Sequence, residues 1–182
     1  LESGGFHGAC WRLEGRNVIV LKQRTLSSAR WLHDLLHEVH HAGSDPNEEN
    51  LVSIDEEAMP LERRKSPEEQ RATRFAGNVL LEGRAEDLAK ECVAEARGKV
   101  ERLKTVVPRV ARRGNVSVGA LANYMAWRLS LQGLDWWGTA SNLQQDDGEE
   151  PWLIVRDFLL ERLDWARLDE SDRTLLSRAL SE

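Results

Sequence analysis

The stretch that decides the fold is "LLHEVHHAGSD", which covers Leu35–Asp45. Two histidines, His37 and His41, stand four positions apart, and Glu38 directly follows the first. Apolar residues recur here and just upstream at helical spacing: Leu32, Leu35, Leu36, Val39 and Ala42. Side chains four residues apart project from the same face of an α-helix. The pattern therefore predicts a helix, ending near Gly43, that carries two imidazoles on one face.

This helix has the form H-E-x-x-H. Two imidazoles at this spacing can bind one Zn²⁺ at about 2.0–2.1 Å each, and the glutamate can accept a proton from a water molecule at the metal. The same letters also occur by chance, in which case His37, Glu38 and His41 are polar residues on a solvated helix face. Because the helix is otherwise strongly apolar, and polar groups in apolar surroundings need partners, its composition favours a metal.

A second register is present one turn earlier. His33, Asp34 and His37 have the form H-D-x-x-H, which could bind a metal in the same way. We favour the later register because the side chain of Asp34 is the shorter base and because the next predicted helix fits the later register better. His33 and His40 are then expected to pack, to form hydrogen bonds or to face solvent.

A catalytic zinc ion usually has three protein ligands and one open position, so two histidines are not enough. The candidate third ligand is Glu69, near the start of a helix predicted to open at Ser66. Ala72 and Ala76 lie on the same helix face, and their small side chains would allow a close approach to the first helix. Two alternatives stay open: Glu68 is a second candidate ligand, and Glu69 can instead complete a capping box with Ser66.

The remaining segments predict a mainly helical α+β protein. Residues 9–23 are typical of a β-hairpin, and residues 44–65 of an acidic loop with a short strand at Leu51–Ile54. Further elements are predicted downstream: a helix over about Ala85–Leu103, a helix from Ser117 to near Gly133, an irregular segment from Asp135, and two tail helices that separate near Asp169–Ser171. We expect a domain over 6–135 and a helical C-terminal extension over 136–182.

Composition limits the classes of function. The chain has 182 residues and a net charge of -6, which argues against strong direct binding of nucleic acid, because phosphate neutralisation needs a basic face. No apolar run reaches the roughly 18 residues of a membrane helix. Cys10 and Cys92 lie outside any CxxC pattern and are expected to be reduced thiols of a cytoplasmic protein. The first residue is Leu1 rather than Met, and we expect a fragment of a longer protein.

These motifs together resemble the ImmA/IrrE family of zinc metallopeptidases. In that family an H-E-x-x-H helix is followed by a helix of the form E-x-x-A-x-x-F-A-x-x-L-L. The segment "EQRATRFAGNVLL" places Glu69, Phe75 and Ala76 in this register. The segment "VSVGALANYMAWRLSLQGL", residues 116–134, is similar to a later family segment, so the likeness covers about residues 6–135.

The resemblance implies a compact α+β zincin-like domain with a small sheet, in which His37, His41 and Glu69 hold Zn²⁺ and Glu38 is the general base. It also implies an endopeptidase of narrow specificity. Its protein substrate would be a helix-turn-helix repressor in a stress-response or mobile-element circuit. The chain departs from the family pattern at His40, where the family commonly has Gly.

A second function stays open from the residues. The chain has 7 tryptophans, and those of its C-terminal part suit a core and an interface equally well. A non-catalytic interaction module, with a structural or lost zinc site and a helical tail that binds a partner, would have the same features. Zinc content and the effect of Glu38→Gln distinguish the two functions.

Overall fold

The computed structural model describes residues 6–21, 25–44, 49, 51–56, 66–145, 148 and 150–180. Within them the chain forms three strands, named β1 to β3 in order: Phe6–Leu13, Arg16–Leu21 and Leu51–Glu56. The same residues form eight α-helices, named α1 to α8 in order: Ser28–Ser44, Pro67–Leu80, Ala85–Ala96, Leu103–Gly114, Val118–Ser130, Trp137–Asn142, Pro151–Arg162 and Glu170–Leu180. The fold is α+β and mainly helical, as predicted.

The predicted hairpin is confirmed as β1 and β2. Its two-residue turn, Glu14 and Gly15, has positive φ angles of 50° and 73°, the turn conformation that matches the natural twist of antiparallel strands. The strand β3 pairs antiparallel with the other side of β1, so the order is β2-β1-β3 and β1 is central. The strand predicted at Leu51–Ile54 is confirmed and continues to Glu56.

Helix α1 packs against β1, β2 and α2. Ser27 caps its start, because the side-chain oxygen of Ser27 accepts a hydrogen bond from the backbone N–H of Arg30 at 3.3 Å. The same hydroxyl donates to the side-chain oxygen of Gln144 at 2.8 Å, which ties the start of α1 to the segment after α6. The helix passes the predicted end at Gly43 and stops at Ser44.

A buried arginine holds the other end of α1 on the sheet. Arg12 of β1 donates from Nε to the side-chain oxygen of Asn17 on β2 at 2.8 Å, and from Nη2 to the backbone oxygen of Ala42. The carbonyl groups of a last helical turn have no partner within the helix, so a buried cation there satisfies one of them and suits the helix dipole. Arg12 therefore joins β1, β2 and α1 at one point.

The main hydrophobic core lies among α3, α4, α5 and α6. Its largest fully buried apolar side chains are Leu81, Val107, Val110, Leu121 and Met125. The prediction of a single helix over Ala85–Leu103 is wrong, because α3 ends at Ala96 and α4 begins at Leu103 after a short 3-10 turn. Arg97 and Gly98 both have positive φ angles there. Glycine adopts this left-handed conformation at little steric cost, so Gly98 favours a helix end at this point.

The C-terminal part begins with residues that belong to the core. Trp136 and Ala140 are buried in the cluster of α3 to α5, and the side chain of Gln144 donates to Asn123 of α5 at 3.0 Å. The boundary at residue 135 stays a prediction. The tail helices α7 and α8 are separated by a 3-10 turn at Trp165–Arg167, just before the predicted break. Among the described helices, none has both the length and the apolar character needed to cross a membrane.

We predict that Arg12→Met destabilises the fold. Methionine keeps the apolar stem but removes the donors to Ala42 and Asn17, which leaves the buried backbone oxygen of Ala42 without this partner. The free energy of unfolding, measured by urea denaturation, should fall by about 1–3 kcal/mol. Arg16 of β2 is exposed, so Arg16→Met is the matched control. It should change the free energy of unfolding by less than about 0.5 kcal/mol. Equal stability of the two variants would contradict the anchoring role.

Candidate metal centre

Helices α1 and α2 bring three predicted ligands together. Nε2 of His37 lies 3.1 Å from Nε2 of His41 and 3.0 Å from Oε2 of Glu69. Nε2 of His41 lies 3.5 Å from Oε1 of the same carboxylate. The candidate ligand atoms of these three residues all lie within 4.8 Å of one another, so the group could hold a metal ion. It is the one such group of three or more among the residues that the structure describes.

The sequence of α2 explains why Glu69 reaches α1. Ala72 and Ala76 are fully buried on the same face, so α2 approaches closely. Ser66 caps the helix by accepting a hydrogen bond from the backbone N–H of Glu69 at 3.2 Å. The carboxylate of Glu69 points to the two imidazoles. The residue therefore takes part in the cap only through its backbone N–H, and its side chain lies in the ligand group rather than in a capping box with Ser66.

Burial and charge set the chemistry of the group. His41 is 2% exposed, and His37 and Glu69 are each 9% exposed. Burial raises the pKa of the Glu69 carboxyl, but hydrogen bonds and charge from His37 and His41 outweigh it and lower this pKa to about 2. The carboxylate is therefore ionised at neutral pH and supplies one negative charge beside two imidazoles.

The donor set fits a divalent cation such as Zn²⁺. Two imidazole nitrogens and a carboxylate are common zinc ligands, and bonds of about 2.0–2.1 Å in a tetrahedral arrangement separate ligand atoms by about 3.3–3.4 Å. The separations of 3.0, 3.1 and 3.5 Å between the Nε2 atoms of His37 and His41 and the oxygens of Glu69 bracket that value. Lone pairs that face each other in a buried site need a proton or a cation between them.

The second candidate ligand takes a different position. Oε1 of Glu68 lies 3.4 Å from Nδ1 of His41, on the side of the ring away from the ligand group, and the Glu68 side chain is 56% exposed. Sequence reasoning missed Thr73, which is buried with Oγ1 at 3.3 Å from Nδ1 of His37. The sequence feature that could have identified Thr73 is its position four residues after Glu69, on the same helix face.

The other two histidines of α1 lie outside the group. Nδ1 of His33 is 3.4 Å from Oδ1 of Asp34, the residue that the earlier register would use as a base. The ring of His40 packs against Phe75 with centroids 5.6 Å apart, and Ser44 Oγ lies 3.4 Å from its Nδ1. The geometry thus matches the later register, with His33 and His40 in packing and hydrogen-bonding roles.

Glu38 lies on α1 against the central strand. Its side chain is 2% exposed, and a Cβ added to Gly8 of β1 would lie 2.9 Å from both Cγ and Cδ of Glu38 and still closer to Oε1. Burial and the neighbouring Glu38 carboxylate raise the pKa of the Cys10 thiol on the same strand. Only a glycine at position 8 leaves room for the carboxylate in this place. On a helix, Glu38 and His41 are neighbours at i and i+3.

A separate cleft of about 460 Å³ lies between α2, α3 and α5, and it holds Tyr124. The Tyr124 hydroxyl donates to Glu86 at 3.4 Å, and Arg128 binds the same carboxylate at 2.8 Å. The guanidinium of Arg74 lies over the Trp127 ring, 5.8 Å from its centroid. The polar groups of this cleft thus contact one another, and the Tyr124 hydroxyl is engaged with Glu86.

No family model, curated protein or solved structure matches the chain. The resemblance to ImmA/IrrE metallopeptidases accordingly rests on the motif residues alone and stays a prediction. The ligand group itself follows from the positions of three side chains and does not depend on that resemblance.

We predict that purified protein binds about one Zn²⁺ per chain through this group. His37→Ala, His41→Ala and Glu69→Ala should each abolish stoichiometric zinc, measured by elemental analysis after dialysis, because two ligands are too few for a stable site. His33→Ala and Ser66→Ala are controls. Ser66→Ala removes the cap and should cost about 1 kcal/mol of stability while zinc stays bound.

Two results would contradict this assignment. Loss of zinc in His33→Ala, with retention in His41→Ala, would establish the earlier register. Full zinc in Glu69→Ala, with loss in Glu68→Ala, would make Glu68 the third ligand and would place its carboxylate at the metal rather than at Nδ1 of His41.

We predict a specific energetic coupling between Gly8 and Glu38. Gly8→Ala should lower the free energy of unfolding by about 1–3 kcal/mol, because the new methyl group overlaps the Glu38 side chain. In the Gly8→Ala, Glu38→Ala double variant the new methyl group enters the space that the Glu38 side chain vacates. The double variant should therefore lose less free energy of unfolding than the sum of the two single variants. Urea denaturation measures all three variants.

The control for the coupling is Gly43→Ala on α1. A Cβ at Gly43 meets nothing within 4 Å, so the variant should be neutral or stabilised by up to about 1 kcal/mol. Strictly additive losses at positions 8 and 38 would show that the two residues are not in contact.

Proposed function

We propose that the chain is a zinc-dependent endopeptidase of narrow specificity with a zincin-like, ImmA/IrrE-type domain. The observation that carries the proposal is the convergence of His37, His41 and Glu69 in a buried group at the contact of α1 and α2. Three ligands leave a fourth position for water or substrate, which is the usual arrangement of a catalytic rather than a structural zinc site.

In this proposal each residue has one role. His37, His41 and Glu69 hold the ion. When bound, Zn²⁺ supplies Lewis acidity, which polarises a peptide carbonyl and lowers the pKa of water toward about 7. Glu38 accepts the proton of the attacking water on its carboxylate and delivers it to the nitrogen of the departing amine. Its burial against Gly8 supports this role, because a base held in one place needs no reorganisation during the reaction.

We propose a protein substrate, specifically a helix-turn-helix repressor of a stress-response or mobile-element circuit. This part of the proposal rests on the resemblance. One structural feature supports a peptide substrate: β2 is an edge strand, and its residues Val18 and Val20 are exposed. An extended peptide can add to such an edge through backbone hydrogen bonds.

We place the protein in the cytoplasm, where a repressor acts. Both cysteines, Cys10 and Cys92, are free and buried, which agrees with a reducing compartment. The net charge of -6 argues that the repressor itself, rather than the DNA, is the partner.

One observation favours a second function for the tail. Helix α7 exposes four apolar side chains that form a stripe along one side of the helix: Ile154, Val155, Phe158 and Leu159. Contiguous exposed apolar residues commonly mark protein contacts. A non-catalytic interaction module, in which α7 binds a partner and zinc is structural, is therefore the alternative to the peptidase.

We predict that Glu38→Gln separates the two functions. The variant keeps the shape and polarity of the side chain but cannot accept a proton. We expect a folded protein with near-normal zinc content that cleaves the substrate about 10²–10⁴-fold more slowly. The assay incubates wild type and variant with the helix-turn-helix repressors encoded beside the chain and follows their cleavage by mass spectrometry.

Asp34→Asn is the matched control, because it removes a carboxylate from the same helix outside the ligand group and should cleave like wild type. Equal cleavage by wild type and Glu38→Gln would remove Glu38 from the mechanism. A zinc-loaded wild type that cleaves none of these repressors, but binds one through α7, would favour the interaction module.

A further inference from the structure

Both imidazoles of the ligand group contact α2 twice. Their Nε2 atoms face the Glu69 carboxylate, and their Nδ1 atoms face two other side chains of the same helix. Nδ1 of His37 lies 3.3 Å from Oγ1 of Thr73, and Nδ1 of His41 lies 3.4 Å from Oε1 of Glu68. One helix therefore supplies the anionic ligand and the outer contact of each histidine.

The two outer contacts differ in burial and in charge. Thr73 is 8% exposed and neutral, and its contact with His37 is a buried hydrogen bond. Glu68 is 56% exposed, so water screens its charge and competes for His41. A buried hydrogen bond holds a ring more firmly than a contact with an exposed carboxylate, because the alternative to it is an unsatisfied buried nitrogen.

The protonation state of His37 follows from these contacts. A neutral imidazole carries its proton on one nitrogen and a lone pair on the other. To present a lone pair at Nε2, His37 must carry the proton at Nδ1, and a buried N–H needs an acceptor. The hydroxyl oxygen of Thr73 is in place to accept it. The opposite tautomer would turn an N–H toward the ligand group, where it would pair with Glu69 or with Nε2 of His41 and leave no lone pair for a metal.

We propose that Thr73 is the positioning residue of the zinc site: it accepts the Nδ1–H hydrogen bond of His37, selects the tautomer that binds metal and fixes the ring orientation. This inference rests on the proposed zinc site. Outer-shell partners of this kind set metal affinity by about 10–100-fold when they are removed. Because Thr73 is neutral, it orients the ring without adding charge to a site that already has one carboxylate.

The test compares two variants of the same residue in the full chain. Thr73→Val has nearly the same shape but no hydroxyl, and Thr73→Ser keeps the hydroxyl but loses the methyl group. The dissociation constant for Zn²⁺ is measured by competition with a chromophoric chelator. We expect Thr73→Val to bind about 10–100-fold more weakly than wild type and Thr73→Ser to bind like wild type.

Two further variants provide the comparison. Thr105→Val removes a hydroxyl that bonds to the backbone oxygen of Arg102 on the exposed side of α4, and it should leave zinc binding unchanged. Glu68→Gln should weaken zinc binding less than Thr73→Val does, because its contact with His41 is exposed. The Co²⁺-substituted protein gives a second readout, since its visible spectrum should change in Thr73→Val and remain unchanged in Thr73→Ser.

Each outcome decides the inference. Weak binding by Thr73→Val with recovery in Thr73→Ser supports it. Wild-type binding by Thr73→Val overturns it, and so does an equal loss in both variants, which would assign the effect to the shape and packing of the side chain rather than to the hydroxyl. A wild type that binds no zinc overturns the metal site and this inference together, whereas zinc bound equally by wild type and Thr73→Val overturns the positioning role alone.

Discussion

The rest of the structure depends on one contact, in which two imidazole nitrogens and one carboxylate approach to about 3 Å in a place that solvent hardly reaches. Grouped acceptors without hydrogens between them repel one another, and burial removes the water that would otherwise relieve the repulsion. A cation at that point would bind side chains of both α1 and α2 and so join the two helices. Metal binding and the packing of these two helices should therefore be coupled in free energy.

The sheet holds α1 in the position that this contact requires. Arg12 fixes the last turn of α1, next to His41, and Gly8 of the same strand gives Glu38 its space. At the start of the helix, Ser27 joins α1 to Gln144, whose side chain also contacts α5. The helix that carries two of the candidate ligands is thus fixed at both ends by polar contacts, which limits how far these side chains can move.

The parts of the fold that sequence alone predicted are those set by local pattern. The H-E-x-x-H spacing, the Ser66 cap and the hairpin turn at Gly15 each depend on a few neighbouring residues, and periodicity placed His37, His41 and Glu69 on faces that could meet. Thr73 and Arg12 were missed because their roles depend on which distant atom lies opposite. The end of α3 was missed because its local signal is one glycine, Gly98, and an isolated glycine is also tolerated inside a helix.

His40 is the position at which the chain departs from the motif that it resembles. Where the resembled family commonly has Gly, this chain has an imidazole immediately before a ligand. Its ring lies against Phe75 of α2, outside the ligand group, and burial together with His41 and His37 lowers the pKa of His40, so the ring is neutral at physiological pH. A neutral ring adds no charge to compete for the carboxylate of Glu69. His40 instead extends the contact between α1 and α2 by one aromatic pair.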